Sequence, residues 1–332
     1  MIISQQIYYI LHVDLPEDEE SDEFKRINEL KEKRVKEKIS NGNFNFDGAK
    51  LYMIHFTSKV ERHLSFNGAV IREDTLFNGA EIGGNVLFNG AEIGKNASFR
   101  QAKIRGTANF SGVKIGEKVS FMDAEIGEYT IFNRAAIGGD ALFVGAKMGR
   151  NVSFKEAEIN GDVTFDCTEI KGVCSFKKAK FKYPKAQEEA CRTARKTQER
   201  IGDRVEADYH LYREMEAKRK QKHPIIRVLE LPVQYIFGYG VHPLWVIISW
   251  LVTVICLAFV YWIGNGVLVV GELVVAADSF LEYLYFSVVT AATPGYGGYK
   301  PAPGFYQGLA SFEAIFGTFM WAAFMRVRLS PL

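Results

Sequence analysis

The chain has 332 residues, with 41 basic against 39 acidic side chains, so its charge is nearly balanced. That balance argues against a protein that wraps nucleic acid or mimics its acidic backbone, and the length leaves room for two domains. The mean hydropathy of −0.05 averages two unlike parts: residues 1–223 are charged and glycine-rich, and residues 224–332 are apolar and aromatic.

The N-terminus, Met1 to Leu15, has no Lys or Arg and only a short apolar run, Ile7–Leu11, which fits neither a signal peptide nor a spanning helix. Residues 16–41 are dense in mixed charge and predict a solvated helix. With an N-terminal strand, this helix forms a lead-in over residues 1–43 that covers the open end of the next domain.

That domain announces itself by its period. Phenylalanine stands at 66, 77, 88, 99, 110, 121, 132, 143, 154, 165 and 176, a spacing of eleven without a slip. Five residues after each comes an apolar side chain, from Ile71 through Met148 and Ile159 to Phe181, preceded two residues earlier by a small one such as Ala69, Ala80 or Ala91. An eleven-residue repeat also suits a right-handed coiled coil. The recurring Gly83, Gly94, Gly106, Gly116, Gly127 and Gly138 reject it, because each glycine inside a helix costs about 1 kcal/mol. A chain that turns a corner every five or six residues fits better.

The Ala-x-Ile and Val-x-Phe units resemble the pentapeptide-repeat family over residues 44–182, with one extra residue in every second unit. The resemblance implies a right-handed, four-sided β-helix; a three-sided one is the alternative geometry. Two repeats per coil give about five coils from Phe66 to Phe181, a rod of roughly 25 Å at the strand spacing. Some members of that family mimic DNA through their acidity. The 19 basic and 16 acidic residues between 44 and 182 point instead to a scaffold or sensing module without a nucleic-acid partner.

Residues 183–240 read as a connecting region: one or two helices broken near Ile201–Asp203, a basic run Lys218–Lys222, and an apolar stretch Ile225–Phe237 that is too short to span and looks like an interfacial helix. An apolar region, 241–332, follows. Leu244–Ile263 is twenty residues without a charge, long enough to cross about 30 Å of hydrocarbon, with Trp245, Tyr261 and Trp262 as interfacial aromatics. Gly304–Met325 is a second candidate span and holds one charge, Glu313. The basic flanks, Lys218–Lys222 before the first span and Arg326 and Arg328 after the second, place both termini in the cytoplasm. Between the spans, Ser279–Ala292 reads as a short helix with Asp278 as its N-cap. It is too short to cross, so the loop that follows dips into the membrane and lines a pore.

That loop reads Thr293-Pro294-Gly295-Tyr296-Gly297. With the preceding run Tyr285 to Thr290, Pro301, and a glycine at 317 inside the second span, it resembles the two-transmembrane potassium-channel pore, whose filter reads Thr-Val-Gly-Tyr-Gly. The resemblance implies a multidomain chain: a cytoplasmic β-helix joined to an all-α pore with a re-entrant pore helix. It also implies a homotetramer in the cell (inner) membrane, with K+ (or Na+) as permeant ion held by residues 293–297. Ser287 and Thr290 then support the pore helix and filter, and Gly317 is the gating hinge. Glu313, a charge within a span, is a functional candidate in its own right, and its expected place is against the pore helix, bracing the filter. Pro294 replaces the family's valine; its carbonyl survives and its N–H is lost. Gly298 replaces the usual aspartate.

The second span ends near Met325, so a cytoplasmic signal is expected to reach the pore through residues 185–240, with lipid and an unidentified cytoplasmic protein as further partners. The four cysteines, Cys167, Cys174, Cys191 and Cys256, form no Cys-x-x-Cys pair, and no nucleophile–base set or phosphate-binding loop stands out. An enzyme, a cofactor and a bound metal other than the permeant ion are therefore not expected. The competing reading is a membrane-tethered pentapeptide-repeat scaffold with a vestigial pore.

Overall fold

The computed structural model describes residues 10–241, 243–270, 274–292 and 298–328. The chain divides into two compact units, Met1–Gln221 and Lys222–Leu332.

The first unit is a four-sided β-solenoid. Its strands are two residues long, run from Lys50–Leu51 to Lys180–Phe181, and pair in parallel into one seven-stranded and three six-stranded sides. Each strand points one residue in and one out, which is why the inward residues recur in steps of five and six. Partners are 22 residues apart, as in Lys114 with Glu92, so each coil uses two eleven-residue repeats. The phenylalanines fall alternately on two opposite sides and form two stacks. Phe66 and Phe88 lie parallel with centroids 4.9 Å apart, and Phe77 and Phe99 at 5.0 Å. Adjacent members of the two stacks meet edge to face, as Phe77 and Phe88 do at 6.1 Å. The ring spacing follows the strand spacing of ~4.8 Å, so one repeat satisfies backbone and core together.

The rod has about six coils rather than five, because the winding begins before the strict series. Phe46 and Phe56, ten residues apart, open the two stacks beneath Phe66 and Phe77. The first coil is correspondingly short, with Lys50 paired to Val70.

Both ends are covered. At the first, a 3-10 turn (Ile10–His12) and helix α1 (Asp22–Ser40) lie over the opening coil, with Leu11, Val35 and Ile39 packed on the core. Lys31 of α1 is buried, and its ammonium donates to the carbonyls of Val13 and Lys50, each at 2.6 Å. At the other end α2 (Pro184–Ile201) sets Ala186, Ala190 and Ala194 on the last coil, and Gly202, at φ +79°, turns the chain into α3 (Arg204–Lys220). Side chains of this hairpin satisfy the open edge that a last strand leaves. Thr197 Oγ1 accepts from the Cys174 amide at 2.9 Å, and Arg213 donates to the Phe176 and Ala179 carbonyls at 3.2 and 2.6 Å. The helices read from sequence as part of a connecting region thus belong to the solenoid unit.

In the second unit, Ile225–Phe237 is not one helix. It forms α4 (Pro224–Leu229), α5 (Leu231–Tyr235) and a 3-10 turn, Gly238–Gly240. Pro232 is tolerated only in a first turn, so the helix restarts at Leu231. Then come α6 (Pro243–Ile263), α7 (Phe280–Ala292) and α8 (Phe305–Arg328), which pack pairwise on one another. Among the described residues one helix, Leu244–Ile263, is long and apolar enough to cross a membrane. Strands Val267–Val270, Val274–Ala276 and Tyr299–Pro301 form a small antiparallel sheet beside the helices.

Candidate functional site

The residues singled out on α6, α7 and α8 converge on one buried carboxyl group. Glu313 of α8 is 1% exposed. Tyr261 of α6 donates its hydroxyl to Glu313 Oε2 at 3.0 Å, and Ser287 of α7 hydrogen-bonds Oε1. Ser287 Oγ also lies 2.9 Å from the Val254 carbonyl oxygen on α6. One carboxyl thus joins all three helices, and these bonds offset the cost of burying it. The sequence places Ser287 and Glu313 here but reads Tyr261 as a membrane-interface aromatic. It is fully buried, its ring edge-on to Phe286 at 5.2 Å. A tyrosine that ends an apolar helix opposite a lone acidic residue was the signal available.

Gly317 lies one turn further along α8, which is helical without a break through that position. A Cβ there would stand 1.9 Å from the Ala291 carbonyl oxygen at the end of α7. The geometry therefore requires glycine for close approach; a hinge needs a second conformation, and the close approach does not. Thr290 of α7 is buried, and its hydroxyl has no hydrogen-bond partner among the described residues.

Thr293, Pro294, Gly295, Tyr296 and Gly297 lie outside the described residues. Their flanks are described. α7 opens at Phe280, one residue later than expected, with the Asp278 amide donating to the Glu282 carboxylate at 3.1 Å, and it closes at Ala292. On the far side Gly298 has φ +88° and leads into strand Tyr299–Pro301. The small sheet was not foreseen. Its runs Val267–Val270 and Val274–Ala276, rich in β-branched residues and set a few residues apart, carry a hairpin signal that reads at first only as an apolar loop.

In the solenoid unit the outward charges pair between coils, Lys114 with Glu92 at 2.6 Å and Lys147 with Glu125 at 2.9 Å, so the sides carry ladders of opposite charge rather than a patch of one sign. Burial pushes the Cys174 and Cys191 thiols well above the usual range, Cys191 to about 12, which leaves both unreactive. Among the described residues no group of three or more His, Cys, Asp or Glu side chains is placed to hold a metal ion.

The model of a family described as Ion channel matches residues 246–330, which run from the start of α6 through α8. Comparison with curated proteins and with solved structures returned no match. The C-terminal segment is thus similar to ion channels of the potassium-channel type, and the N-terminal unit is a β-solenoid with a 22-residue period, which is consistent with pentapeptide repeats. A membrane setting follows at that level from the matched segment and the apolar helix Leu244–Ile263.

Proposed function

We propose that the chain is one subunit of a homotetrameric cation channel of potassium-channel type, with the solenoid as a cytoplasmic module for regulation or assembly. One observation carries this reading. The segment similar to ion channels is also the one in which a helix too short to span, α7, is held between two longer helices by the Glu313 carboxyl. A pore helix needs such support, because it must aim the loop at its C-terminal end toward an axis. One such hairpin cannot enclose a pore, and four around a closed axis can. In that assembly the permeant ion, K+ or Na+, meets the carbonyls of residues 293–297, and the Thr290 hydroxyl, without a partner among the described residues, is available to a neighbouring subunit. The basic residues at Lys218–Lys222 and at Arg326 and Arg328 support a cytoplasmic side for both termini. Nothing in this reading calls for catalysis or a cofactor.

The test is single-channel recording in planar bilayers under a potassium–sodium gradient, wild type beside Pro294→Val. A wild-type reversal near the potassium limit supports a selective potassium channel. A reversal near zero that moves toward potassium in the variant makes Pro294 the cause of a relaxed filter. No current from either protein overturns the channel reading in favour of the tethered scaffold.

A further inference from the structure

The three-stranded sheet has a feature that folding of the loop alone does not require. Its central strand, Val267–Val270, pairs with Val274–Ala276 on one edge and with Tyr299–Pro301 on the other, Leu268 opposite Lys300 and Val269 opposite Tyr299. The Val270 amide donates to the Gly298 carbonyl at 2.8 Å, and the Ala302 amide donates to the Gly266 carbonyl at 2.8 Å. Both ends of strand Tyr299–Pro301 are therefore tied.

The central strand is itself rooted in the helices. Val267 is fully buried, and its carbonyl accepts from the Ala277 amide at 3.1 Å. Tyr283 of α7 donates its hydroxyl to the Ala277 carbonyl at 2.7 Å. Tyr306 of α8 lies so close over Gly266 that a Cβ there would sit 2.5 Å from its ring. On the paired strand, the Tyr299 ring is 5.7 Å from that of Tyr285 on α7.

We propose that this sheet is the outer brace of the pore loop, with the Val270 N–H as its positioning group. The inference rests on the channel reading and deepens it. α7 holds the chain up to Ala292 and the sheet holds it again from Gly298, so both flanks of residues 293–297 are tied to described structure. Fixing both ends lowers the number of arrangements open to the residues between them. A filter of carbonyl rings works only when its oxygens are held in place. The φ of +88° at Gly298 explains why a backbone hydrogen bond does the bracing: a side chain on that residue strains the turn.

The experiment compares wild type, Val270→Pro and the pair Leu268→Cys/Lys300→Cys as full-length channels in bilayers. It reads the decay of potassium current at constant voltage and the reversal potential against sodium. Directly paired residues on antiparallel strands have Cα atoms about 5.5 Å apart, within the range a disulfide spans. The expected result is current decay about fivefold faster in Val270→Pro, the scale of one lost backbone hydrogen bond, with a reversal potential nearer zero. The oxidised cysteine pair is expected to decay more slowly than its reduced form, reversibly, while the single-cysteine variants do not respond. If Val270→Pro fails to assemble, the cysteine pair decides alone. A conducting protein whose decay and reversal are the same oxidised and reduced, or whose cysteines do not cross-link, overturns the brace. A wild type without current removes the channel reading itself.

Discussion

Gly317 and Ala291 approach so closely that a single added methyl on the first would stand 1.9 Å from the carbonyl oxygen of the second. Packing therefore gives glycine at this position of α8 a reason. Replacing Gly317 by Ala is expected to lower stability by about 3 kcal/mol, since overfilling a tight contact moves whole helices. Gly308→Ala on the same helix is the control, because a Cβ there meets nothing within 4 Å. Thermal unfolding of the two variants in detergent checks this; equal melting points for both contradict the contact.

The Glu313 carboxyl accepts from two hydroxyls on two other helices. Glu313→Gln puts an amide N–H2 where a hydroxyl already donates, and a cost of about 1–3 kcal/mol follows for the mismatched buried group. Tyr261→Phe removes only one donor and is expected to cost less. A double-mutant cycle measured by thermal unfolding should show coupling between the two positions, and strict additivity would mean that the bond contributes nothing.

His210 of α3 is fully buried, and neither ring nitrogen has a hydrogen-bond partner among the described residues. Burial holds its pKa at about 4, with Arg213 and Lys177 acting in the same direction and Glu206 against it. The unfolded chain therefore binds more protons than the folded one between about pH 4 and 6.5, so stability falls on acidification through that window. The loss is roughly 3 kcal/mol by linkage at ~1.4 kcal/mol per pH unit. His210→Phe should flatten that part of the profile. Melting curves of both proteins at pH 6.5 and 4.5 check it, and parallel losses sink the assignment.

Two solenoid positions give opposite expectations for the same kind of residue. A Cβ at Gly116 would lie 1.9 Å from the Gly94 carbonyl oxygen on the coil below, so Gly116→Ala should cost more than about 3 kcal/mol. Gln101 carries φ +57° at a corner that Gly79 and Gly145 fill on other coils, and Gln101→Gly should stabilise by up to about 1 kcal/mol. Chemical denaturation of full-length protein separates the two, and the same sign for both would refute the backbone argument.

Regulation by the solenoid is tested by truncation, and the place of the cut matters. Removing residues 1–182 strips the last coil from Ala186, Ala190 and Ala194 and leaves an apolar helix face open to water. A cut at 221 follows the division between the units. Channels starting at Lys222 are expected to conduct with an altered open probability. An unchanged open probability and stimulus response would leave the solenoid a role in assembly or location alone.

The solenoid was legible because every coil repeats the same core problem, so Phe, Ala and Ile return on a fixed period that a reader can count. Its corners were less so. Gln101, Asp123, Arg134, Glu156, Cys167 and Lys178 occupy positive-φ positions that other coils give to glycine, and nothing in their side chains advertises it. The caps were hard to see because Lys31 and Arg213 look like surface charges until the carbonyls they serve are placed around them. In the second unit Ser287 and Gly317 were singled out by resemblance, and Glu313 as the one charge inside an apolar stretch. Tyr261 and the sheet around Val270 belong to contacts between segments far apart in the chain, which periodicity does not report.

The two-repeat coil has a consequence for how this chain can change in length. A duplication of 22 residues adds one layer, moves α2 about 4.8 Å along the rod and returns it at the same azimuth, with both phenylalanine stacks in register. A duplication of eleven keeps the sequence pattern equally well. It nevertheless brings α2 and α3 onto the opposite side of the rod. Growth or loss of this domain by whole coils is therefore silent to its terminal helices, whereas half a coil reorients everything that follows.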